Sequence, residues 1–178
     1  MKKQIIIATL ALGALVLGTS NAQAQTATTT VNIILNDVIS IDAGSVANGG
    51  LVDFNYATAE DYNTTKTANV VNSLIVTSTK NFDVKVKADG ANFSFGSNNI
   101  PVDVLTIKAA TGGSIAGTQN TVVLSTTDQV LIANAPLGSA LTLDLDYTIP
   151  ATESSSSKIL GKPAGTYTQT VTYTATAL

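Results

Sequence analysis

The chain has 178 residues, a formal charge of −3, and neither cysteine nor histidine. These absences exclude a Ser-His-Asp or Cys-His nucleophile system and a His/Cys metal cluster, and leave only a shifted carboxylate or lysine for proton transfer near neutral pH. All nine cationic residues are lysines, and the acidic balance argues against nucleic acid or an anionic membrane surface as partner.

Met1-Lys2-Lys3, the apolar run from Ile5 to Gly18 and Ala22-Gln23-Ala24 predict a secretory signal peptide over residues 1–24, cleaved to leave Gln25 first. The apolar run is too short for a stable membrane span, and no second one follows. No cysteine follows the cleavage site, so a bacterial lipid anchor is not expected. The expected product is exported, to a bacterial periplasm, cell surface or medium. Residues 25–178 are the length of one domain, enough to close a core without disulfides.

Thr26 to Leu35 reads as a first strand with Val31, Ile33 and Leu35 on one face. Asn36-Asp37 breaks it, Val38 to Ile41 resumes it, and Asp42 to Gly50 is a loop. Leu51 to Tyr56 alternates, with Val52, Phe54 and Tyr56 inward. Ala57 to Thr67 lacks period two, and Thr58-Ala-Glu-Asp61 has the form of a capping box, so one helical turn within a loop is expected. Ala68 to Thr79 reads as a strand buried in part on both faces, because Val70-Val71 and Leu74-Ile75-Val76 are consecutive apolars. Phe82 to Ala88 alternates cleanly, with Asp83, Lys85 and Lys87 outward. Asp89-Gly90 signals a hairpin turn, and Phe93 and Phe95 mark a short return strand.

Ile100 to Ala109 follows as a strand, with Pro101 at its start, then a Gly-rich loop to Asn120. Short apolar pieces at Val122–Ser125 and Val130–Ala133 lead to turn chemistry at Asn134 to Gly138. Leu141, Leu143, Leu145, Tyr147 and Ile149 line one face of the next strand, with Thr142, Asp144, Asp146 and Thr148 on the other. Pro150 ends it, and a Ser-rich loop runs to Lys162. Pro163-Ala164-Gly165 turns into a closing strand in which Thr occupies every second position from Thr166 to Thr176. Its other face carries Tyr167, Val171, Tyr173, Ala175 and Ala177, interrupted by Gln169. Many strands, turn residues between them and no sustained helical period give an all-β, Ig-like antiparallel β-sandwich.

Candidate sites are few. Asp144 and Asp146 at i and i+2, with Asp128, have the hard oxygens that calcium takes, but EF-hand spacing is absent and outward aspartates are what a half-buried strand demands. The expectation is a solvent face and no cofactor. Glu60-Asp61-Tyr62 offers either a loop site or a solvated turn. Asn63-Thr-Thr65 and Asn92-Phe-Ser94 match glycosylation acceptors. Lys85 and Lys87 read as an outer face. Tyr167 and Tyr173 read as core residues, and Tyr167, just after a turn, also matches the corner tyrosine of Ig-like folds, whose hydroxyl bonds nearby backbone. Catalysis is not expected.

Ala164-Gly-Thr-Tyr-Thr-Gln-Thr-Val-Thr-Tyr-Thr174 resembles the closing strand of secreted bacterial pilin-like domains of the archaic chaperone–usher and spore-coat-U-like type. In them a Gly opens a Gly-Thr-Tyr-Thr-x-Thr-Val-Thr run, as Gly165 does here. The resemblance implies an incomplete Ig-like sandwich, completed by the N-terminal arm of a neighbouring subunit. Gly165, Tyr167, Val171 and Tyr173 would then belong to the strand that meets a periplasmic chaperone and borders the groove, and Val31, Ile33 and Leu35 would be the plugs of the arm. The penultimate residue is Ala177 where pilins tend to carry an aromatic, and their common disulfide is absent. The same run is also similar to cell-wall-associated WxL proteins, but Tyr173-Thr174-Ala175 stands where their Trp-x-Leu motif would fall. That likeness implies a self-contained module that binds cell wall, glycan or another surface protein.

Overall fold

The computed structural model describes residues 26–43 and 50–178. The signal peptide expected over residues 1–24, with its cleavage site, lies outside the described residues. The chain divides into two units, residues 1–35 and residues 36–178. In the first, residues 26–35 are exposed and form no strand. A strand requires a ladder for its N–H and C=O groups, and neither sheet draws a strand from this segment. Period two was therefore a wrong sign of pairing here. Val31, Ile33 and Leu35 are 79%, 83% and 86% exposed.

The second unit is all-β, with two packed antiparallel sheets, a separate hairpin and one short helix. One sheet is ordered β1 (Ile39–Ala43), β2 (Lys66–Ser78), β10 (Gly138–Ile149), β6 (Thr106–Ala109), β8 (Val122–Val123). The other is ordered β11 (Val171–Ala177), β3 (Phe82–Ala88), β9 (Gln129–Ala135), β7 (Thr118–Gln119). β4 (Asn92–Phe95) and β5 (Asn98–Pro101) form the hairpin, and α1 (Ala151–Ser154) is the helix. The core lies between the sheets. Phe82, Val84, Val86, Leu131 and Ile132 meet Val76, Ile107, Leu143 and Leu145, all buried.

The best-patterned stretches fold as their alternation dictates. β3 buries Phe82, Val84, Val86 and Ala88 and leaves Asp83, Lys85 and Lys87 half-exposed between them. β10 turns Leu143, Leu145, Tyr147 and Ile149 inward. The Thr58–Asp61 box also forms: the Asp61 N–H donates to Thr58 Oγ1 (3.4 Å), the Thr58 N–H to Asp61 Oδ2 (2.8 Å), and Glu60–Tyr62 make one 3₁₀ turn.

Several expected strands are redrawn. Leu51 to Tyr56 keeps Val52, Phe54 and Tyr56 against the core yet joins no ladder. After Asp89-Gly90 the chain does not return along β3, and β4 pairs with β5 instead. Ile100 to Ala109 is two strands, split by a 3₁₀ turn at Val102–Val104 that buries Val102 and Val104. The Gly-rich loop holds β7, and the Ser-rich loop opens with α1. The closing strand joins its sheet only from Val171.

The expected partial burial on both faces of β2 holds at Leu74-Ile75-Val76, where Leu74 and Val76 are buried and Ile75 half-buried, and fails at Val70-Val71. Two extra residues bulge between Val70 and Leu74 opposite Leu143–Leu145, which leaves Val71 exposed and restores the inward row at Leu74 and Val76. The bulge residue Asn72 has φ 50, and two further non-glycine residues share this left-handed conformation, Asn134 (φ 52) and Ala140 (φ 51). Each sits where the register slips. Each also has its freed N–H taken by a side chain of the neighbouring strand: Asn72 by Asp144 Oδ1 (2.7 Å), Asn134 by Asp83 Oδ1 (2.8 Å), Ala140 by Thr77 Oγ1 (2.9 Å). A bulge disrupts the ladder locally, and here polar side chains supply the missing acceptors.

Asp144 is thereby corrected: it is not on a solvent face but 4% exposed. Ala140 is the least suited of the three to its φ, because a Cβ in the left-handed region costs about 1–2 kcal/mol. Ala140→Gly relieves that strain and loses about 0.4–1 kcal/mol through the freer unfolded chain. The expected balance is a gain of roughly 0.5–1 kcal/mol, read by urea unfolding at unchanged m-value.

Candidate strand-addition site

Val171, Tyr173 and Ala175 pack half-buried against the core, while Thr174 and Thr176 are exposed. β11 pairs β3 antiparallel on one side, Val171 opposite Ala88 through Ala177 opposite Phe82, and is the last strand of its sheet on the other. The pairing pattern says which groups are free. Thr170 C=O accepts the Asp89 N–H (3.0 Å), and the Leu178 N–H donates to Asn81 C=O (2.8 Å). Antiparallel residues alternate between pairs that exchange bonds and pairs that do not. The even-numbered residues therefore bond β3. Val171, Tyr173, Ala175 and Ala177 aim their N–H and C=O groups at the open edge; the first three pack on the core, and Ala177, at the end of the same face, is exposed.

The rest of the closing run is spent on geometry. Thr168 pairs with Ser94 of β4 in both directions (3.0 and 3.2 Å), so the segment before Val171 belongs to another neighbour. Gln169, which breaks the alternation, stands at that change of partner: its Nε2 donates to Asn92 C=O (2.6 Å) and its Oε1 accepts the Thr170 N–H (2.8 Å). Gly165 lies under the Phe95 ring, where a Cβ would come within 2.3 Å of the aromatic carbons. Tyr167 is not a core residue. It packs on Phe95 (ring centroids 5.7 Å apart) and donates its hydroxyl to Pro163 C=O (2.9 Å), as a corner tyrosine does. Of the residues singled out from sequence, Gly165 and Tyr167 thus form the corner, and Val171 and Tyr173 form the open edge. Val31, Ile33 and Leu35 belong to the separate exposed arm.

Tyr173 also ties the sheets together. Its hydroxyl meets that of Tyr147 on β10 at 2.7 Å, near the side where edge strands β1 and β11 approach. Burial pushes Tyr173 well above the ordinary tyrosine value of 10.0, with Tyr147 beside it adding to the rise. Either single Phe substitution strands one hydroxyl and costs about 1–2 kcal/mol, while the double Phe variant costs less than their sum; urea unfolding of the four proteins reads the coupling. The pH sign follows from linkage. The unfolded tyrosine ionises from about pH 10 while the folded one stays neutral, so stability is whole below that value and falls as pH rises toward the folded pKa. Tyr173→Phe should flatten that alkaline loss.

The other candidates are occupied by their own neighbours. Asp144 Oδ1 holds the Asn72 N–H, and Asp146 Oδ1 accepts from Asn69 Nδ2 (2.8 Å). Among the described residues no group of three or more acidic, His or Cys side chains lies close enough to hold a metal ion. In Glu60-Asp61-Tyr62, Asp61 accepts from Lys66 Nζ (2.5 Å) and from the Ala57 and Thr58 N–H groups. Those bonds, Lys66 first, hold its carboxyl below the usual aspartate range. Tyr62 stacks near Tyr56 (5.0 Å), whose hydroxyl bonds the buried Ser154 Oγ (2.8 Å). A shallow hollow beside Val102 and Leu124 has one carboxylate, Asp103, which pairs with Lys158 (3.0 Å).

No protein-family model matches the chain, and no significantly similar curated protein is found. What stands is a mostly β-strand protein with antiparallel sheets packed as a sandwich.

Proposed function

We propose that this protein is an exported, non-enzymatic structural or adhesive subunit of a bacterial cell surface, pilin-like in kind, which assembles by lending its N-terminal arm to the sandwich of another copy or of a related subunit. The observation that carries the reading is the unpaired edge of β11, seven residues long, with its inward row only half-buried. A long open edge is a template for strand addition. The arm supplies a matching ligand: an exposed segment outside both sheets, with alternating Val31, Ile33 and Leu35. The resemblance of the Gly165–Thr174 run to chaperone–usher subunits points the same way and adds a periplasmic chaperone as a transient occupant of the edge.

Light scattering tests the reading on two proteins, residues 25–178 and a chain starting at Asn36. Multimers that grow with concentration are expected only where the arm is present. An arm-bearing chain that stays monomeric at every concentration would overturn the proposal.

A further inference from the structure

The open edge and the arm together restrict how one can receive the other, and we infer that the arm of a second copy enters antiparallel to β11 with Leu35 opposite Val171 and Thr29 opposite Ala177. The inference rests on the strand-donation reading above and adds its orientation and register. Parity comes first. The free N–H and C=O groups belong to Val171, Tyr173, Ala175 and Ala177, whose side chains share the inward face, so the arm residues opposite them take that face too. With the odd-numbered arm residues in those places, Val31, Ile33 and Leu35 enter the sandwich. The other parity would bury one apolar residue, Ile34, in place of three, and would bury Asn32 with no partner for its amide, a costly arrangement.

Register follows from length and charge. The edge offers four outward-facing residues between positions 171 and 177, and two arm segments, 29–35 and 31–37, use all of them with all three apolar plugs inside. The second would carry the Asp37 carboxylate, which pairs with Lys80, inward opposite Val171, a costly burial, so 29–35 is favoured. Orientation follows from the burial gradient. Val171 and Tyr173 are half-buried, and the strand becomes exposed toward Ala177 and Leu178. An antiparallel arm sets its bulkiest residues, Leu35 and Ile33, over the buried end and Thr29 over the exposed end. A parallel arm does the reverse, leaving Leu35 at the exposed end. The antiparallel choice also sets Ile33 across from Tyr173, a β-branched residue on an aromatic, which is a favourable cross-strand pair. Every other strand pair in the sandwich is antiparallel as well.

The absence of cysteine makes the test clean. Single-cysteine variants are mixed in pairs and oxidised, and linked dimers are read on a non-reducing gel. A disulfide needs Cα atoms within about 7 Å, whereas the two ends of a seven-residue strand lie roughly 20 Å apart. Thr29→Cys with Ala177→Cys should link strongly, and Leu35→Cys with Ala177→Cys should not. Dominant linkage of the Leu35 pair overturns the orientation. Dominant linkage of Val31→Cys with Ala177→Cys overturns the register. Multimers that form while no pair links overturn the inference and leave strand donation standing. The parent chain remaining monomeric in light scattering removes strand donation itself, and this inference with it.

Discussion

Ile33→Asp is expected to weaken self-association by orders of magnitude while leaving the sandwich as stable as before. The side chain is 83% exposed on a segment that contributes no strand, so the monomer loses nothing by the change, and a surface substitution of this kind stays within about 0.5 kcal/mol. On strand addition the same position becomes the middle plug. A carboxylate carried there has no cation to meet, and burying an unpaired charge costs several kcal/mol. Taking about 3–5 kcal/mol, the range for a buried charge stripped of its partner, association should weaken roughly a hundred- to several thousand-fold. Asn32→Asp is the control. It carries the same charge one residue away, on the face that stays in solvent, and association should change little. The two variants, compared by light scattering with thermal unfolding as the stability readout, separate a specific groove from general stickiness. Equal loss in both would mean that charge alone, not the inward face, governs assembly.

Asp144→Ala is the substitution expected to damage the folded domain most among the polar positions. Asp144 is 4% exposed, and its carboxylate accepts the N–H of Asn72 at the β2 bulge. Removing the acceptor leaves a part-buried N–H without a partner and frees a residue held at φ 50. A hydrogen bond to a charged group is worth about 1.5–3 kcal/mol, and stranding the donor adds the cost of its desolvation. Removing a buried charge gives some of that back, so the net loss is set at about 2–3 kcal/mol, a fall in melting temperature on the order of 5–10 °C. Asp144→Asn keeps an acceptor oxygen and should lose less than half as much. Gly112 supplies an independent check. A Cβ there would come within 2.4 Å of Asp144 Oδ2, so Gly112→Ala and Asp144→Ala remove parts of one arrangement. Their combined cost should fall short of the sum, as coupled neighbours do.

Both expectations concern features that the residues announce unequally. The arm was visible as alternation, and Val31, Ile33 and Leu35 were visible as a face. Whether that face had a partner was not, because pairing is a property of two segments and periodicity describes one. Leu51–Tyr56 shows the same limit: its inward row is real, its ladder is absent. Asp144 is the opposite case. Alternation alone puts it in solvent, yet the two-residue bulge across from it frees a part-buried N–H, and the carboxylate turns to meet it. The cluster Val70-Val71-Asn72 carried the one available signal, a break in alternation with an Asn suited to positive φ.

The chain by itself determined the class: all-β, antiparallel, an alternating core with Phe82–Ala88 and Leu141–Ile149 at its centre; for Tyr167 it left core and corner both open. Class and core follow from local rules, since side-chain alternation and turn residues act over a few positions. Only the tertiary structure decided that β11 stands at the edge of its sheet, that its odd-numbered residues hold the free backbone groups, and that three bulges are capped by Asp144, Asp83 and Thr77. Strand order and register depend on which distant segments meet, and a two-residue shift that preserves the inward row leaves no mark in the hydrophobic pattern.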